Sequence, residues 1–183
     1  MPRRWEGHEG ELKAMIESEK LVHTVLQAAE GEIIGRIRLQ KIFYLLEQLG
    51  LGGGFRFSYH NFGPYSEDLT HALLLARILE KTIKEEKVSN GSGFYSIYSV
   101  VKKDLSLPKK IGSLRAEEIK EYISRMKQTS SVEIELAATI HWLRKKEKVG
   151  DWRSEIKARK ASKAQDAAIS KAEELLRGLG LAA

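Results

Sequence analysis

Ser66, Asp68 and His71 place a hydroxyl, a carboxylate and an imidazole within six positions. Those are the groups of a nucleophile, an orienting acid and a general base for acyl transfer. A working triad needs side chains that converge from separate elements, or a strained elbow, and one helical turn supplies neither. Ser66 has a simpler use as the N-cap of a helix, with Glu67 and Asp68 at its positive end and His71 on its surface. No catalytic residue is therefore assigned, and the expectation is a protein that is not an enzyme. His8, His23, His60, His71 and His141 lack ligand spacing such as His-Glu-x-x-His, and cysteine is absent. Neither a metal site nor a disulfide is expected. Gly52-Gly53-Gly54 is not followed by the Lys-Ser/Thr of a phosphate loop, so no nucleotide cofactor is expected.

Binding constellations remain. Tyr44, Tyr59, His60, Asn61 and Tyr65 gather polar and aromatic groups around Gly63-Pro64. Tyrosine buries area while keeping a hydrogen-bonding tip, so these residues form a candidate partner-binding patch. Equally, they could be the packing that holds the Gly-Pro turn against the preceding helix. Arg36, Arg38, Gln40 and Lys41 sit near a helix start and could reach phosphates. The neighbouring Glu30, Glu32 and Glu47 favour a solvated or domain-facing role instead. The third constellation is basic: Arg144, Lys145, Lys146, Lys148, Arg153, Lys157, Arg159 and Lys160, interleaved with Trp142 and Trp152. Phosphate contacts plus stacking on the indoles would make it a nucleic-acid surface. Glu147, Asp151 and Glu155 interrupt the run, and a solvated helix face with tryptophans packed inward is the competing reading.

The elements that must position these residues follow from periodicity. Leu12 to Ala29 reads as a helix stopped at Gly31. A second helix runs from about Arg36 to Leu49, with Leu39, Ile42, Phe43, Leu46 and Leu49 as its apolar stripe. Phe55, Phe57 and Tyr59 alternate with polar residues, which suggests a short extended segment ending in a turn at Gly63-Pro64. The helix after Ser66 is apolar almost all round and should be buried on more than one face. Ile83 to Val88 and Phe94 to Val101 form a β-hairpin about Ser89-Asn90-Gly91-Ser92-Gly93. Lys102 to Gly112 is a basic connector, and beyond it everything looks helical. Ser113 precedes one helix, Ser130 and Glu133 have capping-box spacing at the head of another, and a last helix runs from about Lys163 to Leu176.

The fold class is α+β, predominantly α. Residues 1–104 form a winged-helix-like part, helices plus one β-hairpin, and residues 105–183 a helical extension packed with it as one body. A 183-residue chain suffices for one substantial core. Residues 1–100 carry 12 basic and 13 acidic side chains, so the net charge of +6 resides in the C-terminal half. A polyanion would be sought there. The absence of cysteine, of a signal-like N-terminus and of a long apolar run points to a cytoplasmic protein with no membrane contact.

Arg38-Leu39-Gln40-Lys41-Ile42-Phe43-Tyr44, followed by Phe62-Gly63-Pro64-Tyr65-Ser66-Glu67-Asp68-Leu69, resembles the YwgA-like group of bacterial and archaeal proteins. Leu136 to Leu143 and the closing helix through Leu181 are similar as well. The group in turn resembles the SocA-like, or Panacea, antitoxin domain. Those antitoxins usually carry a tryptophan before the Gly-Pro and a valine after it, where this chain has Tyr59, Phe62 and Tyr65. The resemblance implies contact with another protein, a toxin or a protease component, and supplies no catalytic residue. The expected function is a protein-interaction module. The alternative is a winged-helix nucleic-acid binder, as a homodimer, using residues 144–163.

Overall fold

Helix α1 (Glu6–Ala28) and helix α2 (Arg36–Leu49) are joined through a three-residue strand, β1 (Glu32–Ile34). These come from a computed structural model that describes residues 6–91, 93–102 and 106–182, with side chains from Glu17 onward. Ser92 of the hairpin turn and the expected 104/105 division lie outside the described residues. Next come β2 (Ser58–His60), β3 (Gly63–Tyr65), α3 (Glu67–Ile78), β4 (Ile83–Ser89) and β5 (Phe94–Val100). The short strands β6 (Lys110–Ile111) and β7 (Leu114–Arg115) precede α4 (Ala116–Gln128), α5 (Ser131–Lys145), α6 (Trp152–Lys160) and α7 (Asp166–Gly178). The architecture is mixed α+β with helix dominating, as the sequence indicates.

β4 and β5 pair antiparallel from Ile83↔Val100 to Ser89↔Phe94, the expected hairpin. β1 adds to the outer edge of β5, giving a sheet in the order β1-β5-β4. That strand escapes sequence reading because three residues are too few to show a period of two. Its Ile33 is fully buried while Glu32 and Ile34 face outward.

Helix ends obey the local chemistry. Ser66 is the cap of α3, its Oγ accepting from the Leu69 N–H at 3.1 Å. Ser130 and Glu133 form the reciprocal capping box of α5, at 3.2 and 2.9 Å. Ser113, expected to open a helix, lies instead in the β6–β7 hairpin, and α4 starts after Arg115. There its hydroxyl donates to the Gly50 carbonyl at 3.0 Å, tying that hairpin to the end of α2. Gly50 closes α2 in the left-handed conformation (φ 107°), and a Cβ there would stand 2.0 Å from that hydroxyl. Glycine is required on both counts.

One hydrophobic core joins both halves of the chain. It runs from Val22 and Leu26 of α1 through Leu39, Phe43 and Leu46 of α2 to Ile134, Leu136 and Ile140 of α5 and Ile169 and Leu176 of α7. Helix α3 contributes Leu69, Ala72, Leu73 and Ala76. Its apolar character exceeds its burial, since Leu74, Ile78 and Leu79 remain exposed. Among the described residues no helix is long and apolar enough to cross a membrane.

The strongest tie between elements is polar. Gln40, fully inside α2, donates through Nε2 to the Ser66 carbonyl at 3.0 Å and accepts through Oε1 from the Ser66 N–H at 2.9 Å. Gln40→Leu keeps the volume but strands the buried N–H, at a cost of about 1–3 kcal/mol. A urea or guanidinium titration of that variant is expected to show the loss. A midpoint equal to wild type would show that the tie contributes nothing.

Candidate functional site

The Gly63-Pro64 dipeptide does not form the turn. The reversal is made by Asn61-Phe62, and Gly63-Pro64-Tyr65 is the returning strand of a tight hairpin, with His60↔Gly63, Tyr59↔Pro64 and Ser58↔Tyr65 as partners. Proline has no N–H to offer a ladder, and the Pro64 carbonyl is taken by Lys41 Nζ of α2 at 2.6 Å. Gly63 (φ 84°) packs against α5, where a Cβ would approach Thr139 Oγ1 to 2.7 Å. On the other arm, Lys160 Nζ of α6 donates to the Asn61 carbonyl at 2.8 Å. Two ammonium groups from distant helices thus grip the hairpin on either side of its tip.

Both lysines are almost wholly buried, and so is Glu135 of α5 between them. Lys163 Nζ lies 2.9 Å from Glu135 Oε2 and Lys160 Nζ 3.0 Å from Oε1. The Lys163 contact is a hydrogen bond. The Lys160 contact is an ion pair by distance whose alignment does not make one, since that ammonium is aimed at Asn61. Ala161, between the two lysines, has φ 41° and ψ −118°. An alanine rarely adopts that conformation, and it costs on the order of 1–3 kcal/mol. The strain sits where the chain must turn one lysine inward and bring the next back to the same carboxylate. Burial pushes the Lys41 ammonium down to about 7; Glu135 opposes the fall and Lys160 and Lys163 add to it.

Above this buried charge lies an open cavity of about 580 Å³, bordered by α2 and the β2–β3 hairpin. Tyr59, His60, Asn61, Phe62 and Tyr65 line it, with Arg36, Gln40 and Lys41 from α2. Phe62 at the tip is 50 % exposed, with Lys163 Nζ 5.0 Å from its ring centre. Tyr65 Oη bonds Thr70 Oγ1 at 2.7 Å and receives Arg36 Nη2 at 3.2 Å. The Tyr59 ring is stacked under the Arg159 guanidinium, 4.7 Å away.

Four of the five aromatic and polar residues singled out in the sequence therefore share one wall. Tyr44 does not. It is fully buried one turn after Lys41, its hydroxyl 2.8 Å from His141 Nδ1 of α5, and it offers no surface to a partner. Its place between Phe43 and Leu45, in a run of large apolar residues, was the available signal. Phe62, the tip itself, was the residue overlooked. Arg38 is likewise consumed internally, donating to the Met126 and Thr129 carbonyls at the end of α4 at 2.9 and 2.6 Å. Cations there complement the negative helix end.

Half of the basic tract is held in ion pairs. Arg159 pairs with Glu147 and Glu155, Arg153 with Glu173, Lys157 with Asp166, and Lys160 with Glu135. Arg144 bonds the Ala182 carbonyl and stands over Trp152. Lys145, Lys146 and Lys148 are the exposed members with no ion pair among the described residues. The hydrolytic constellation is not assembled either. Ser66 is buried in its cap, and Asp68 accepts from Arg56 Nε and Nη2, each at 2.9 Å. No group of three or more potential metal ligands occurs among the described residues.

The Tyr44–His141 pair has a measurable consequence. Burial first, then Lys145, Lys146 and Arg144, lower the His141 imidazole to about 4, while burial raises the Tyr44 hydroxyl. The ring is neutral near pH 7 and can accept from Tyr44. An unfolded chain protonates this histidine near pH 6.5, so the folded state holds fewer protons between 6.5 and 4. Stability from this group is complete above that window and falls as pH drops through it, at up to about 1.4 kcal/mol per pH unit. Urea titrations across the window should give a smaller slope for His141→Gln than for wild type. Equal slopes would refute the assignment.

No family model matches the chain. Over 160 aligned residues it is 31% identical to the uncharacterized protein YwgA of Bacillus subtilis (strain 168), spanning 79% of this chain and 89% of that protein. A shorter stretch of 48 residues is 44% identical to a DNA ADP-ribosyl glycohydrolase of Thermus aquaticus, spanning 26% of this chain and 13% of that enzyme. The second likeness is confined to a segment, whereas the first extends over most of both proteins: this chain belongs to the YwgA family.

Proposed function

We propose that this protein is a non-catalytic interaction module, of the SocA/Panacea antitoxin or adaptor kind, which docks another protein on the β2–β3 hairpin face. The observation that carries the reading is Phe62, half exposed at the tip of a hairpin that two buried lysines hold in place. An aromatic side chain on a rigid support loses little entropy on binding, and such residues dominate interface energetics. The cavity beside it, walled by Tyr59 and Tyr65, gives a partner side chain somewhere to go.

The fold part of the proposal is a winged helix. The order α1-β1-α2-α3-β4-β5, with the β2–β3 hairpin inserted between α2 and α3, and the sheet order β1-β5-β4 support it. In that arrangement α3 would be the reading helix, yet it opens with Glu67 and Asp68 and exposes Leu74 and Ile78. Phosphates would be repelled at one end and offered hydrocarbon at the other. With half of the basic tract paired internally, the nucleic-acid alternative has less support than protein contact. The likeness to the Thermus aquaticus enzyme spans 13% of that protein, and its activity is not carried over on so short a segment.

Co-expression with the product of the adjacent reading frame, followed by affinity purification, tests the proposal. A stoichiometric complex is expected, lost or weakened at least about tenfold in Tyr65→Ala and Phe62→Ala. Circular dichroism establishes that each variant is folded. An undiminished complex from both folded variants would move the interface elsewhere.

A further inference from the structure

The cavity beside the hairpin has an uncompensated charge. Its lining supplies Arg36, Lys41 and His60 but, among the described residues, no aspartate or glutamate. Beneath it, Lys160 and Lys163 already divide Glu135 between them, and Lys41 adds a third ammonium with only a carbonyl as its hydrogen-bond partner. Arg36, at the mouth, is exposed and held by the neutral Tyr65 hydroxyl instead of by a carboxylate. The acid that Arg36 influences through space, Glu85, is occupied by Arg77, Ser96 and Tyr98. Burial is the main cause of the lowered Lys41 ammonium; Glu135 opposes the fall, and Lys160 and Lys163 add to it. Low-dielectric walls focus such a field into the opening, where an anion is favoured.

The walls narrow the class of anion. Tyr59, Phe62, Tyr65 and Ile37 surround the cationic groups with apolar surface. A free inorganic ion would leave that surface wet, whereas a carboxylate on an aliphatic stem, beside an apolar neighbour, would cover it. Guanidinium presents a planar fork that matches a carboxylate in two parallel hydrogen bonds. We propose that this cavity is the receptor for an acidic side chain, Asp or Glu, of the docked protein, with Arg36 as its anchor and Phe62 packing the residue beside it. The inference rests on the docking reading above and specifies what that face selects.

The test uses the full chain, labelled with nitrogen-15, and three probes added to about 20 mM, a range that detects the weak binding expected of single side chains. They are N-acetyl-Phe-Glu-amide, N-acetyl-Phe-Gln-amide and inorganic phosphate. The glutamate peptide is expected to shift the Arg36 Nε–H and the His60 and Tyr65 amides. The glutamine peptide should bind at least about fivefold more weakly, as should the glutamate peptide to Arg36→Gln. Equal binding of both peptides, no shifts at these residues, or binding of phosphate alone would each overturn the inference. The two proposals fail separately. A complex lost in Tyr65→Ala but intact in Arg36→Gln keeps the docking face and removes the anchor, and a complex insensitive to Tyr65 and Phe62 removes the face.

Discussion

The structure depends on how α2 holds the segment from Asn61 to Ser66. Gln40 bonds Ser66 through both ends of its amide and also donates to Thr70 Oγ1, and Lys41 caps the Pro64 carbonyl. One turn on, Tyr44 reaches His141 of α5. Three polar side chains on one buried helix face thereby settle where α3 begins, where the hairpin sits and how α5 lies across them. Each bond is formed away from water, so its loss leaves a desolvated group behind. The Arg38-to-Tyr44 and Gly63-to-Ser66 motifs are two halves of one clamp, which accounts for their occurring together in the sequence. Their chemistry is that of architecture.

The clamp has a cost, visible around Glu135. Burying an ion pair offers little net stability over an apolar replacement, whereas removing one member of it is expensive. The protein buries a carboxylate and two lysines all the same and accepts a left-sided backbone at Ala161 to do so. What the arrangement secures is position. An apolar packing would have held the hairpin by shape, but it would not have fixed the Asn61 and Pro64 carbonyls from both sides. A hairpin so fixed can carry an exposed phenylalanine at its tip without collapsing it onto the core.

Much of this was legible and the failures have physical reasons. Ser66, and Ser130 with Glu133, announce helix starts because capping is local: the groups that decide it lie within three residues of each other. The β4–β5 hairpin was equally readable from its turn cluster. The reversal at Asn61-Phe62 was assigned to Gly63-Pro64 because proline usually marks a turn; here Pro64 lies in the returning strand opposite Tyr59, and its carbonyl is taken by Lys41, 23 residues earlier. Likewise, the basic tract looked open because its counter-charges are spread from Glu135 to Glu173, and ion pairs between helices leave no periodic trace. A local signal did exist at Glu135, a lone acid between Ile134 and Leu136 in an otherwise apolar stretch. A charge in such a setting must find a partner.

The division between clamp and rim also bears on what such a protein can do. At the clamp, strong pKa shifts coincide with burial. Among the groups at the clamp, the lowered lysine and the lowered histidine are both buried and hydrogen-bonded to neighbours. The exposed groups Arg36, His60 and Phe62 line or cap the cavity, with Ser58 Oγ 3.0 Å from His60 Nε2. Recognition needs only that the rim be rigid and complementary, and the clamp makes it rigid. Substitutions along the exposed rim would therefore disturb the fold little, whereas substitutions in the clamp would leave desolvated polar groups behind and cost stability.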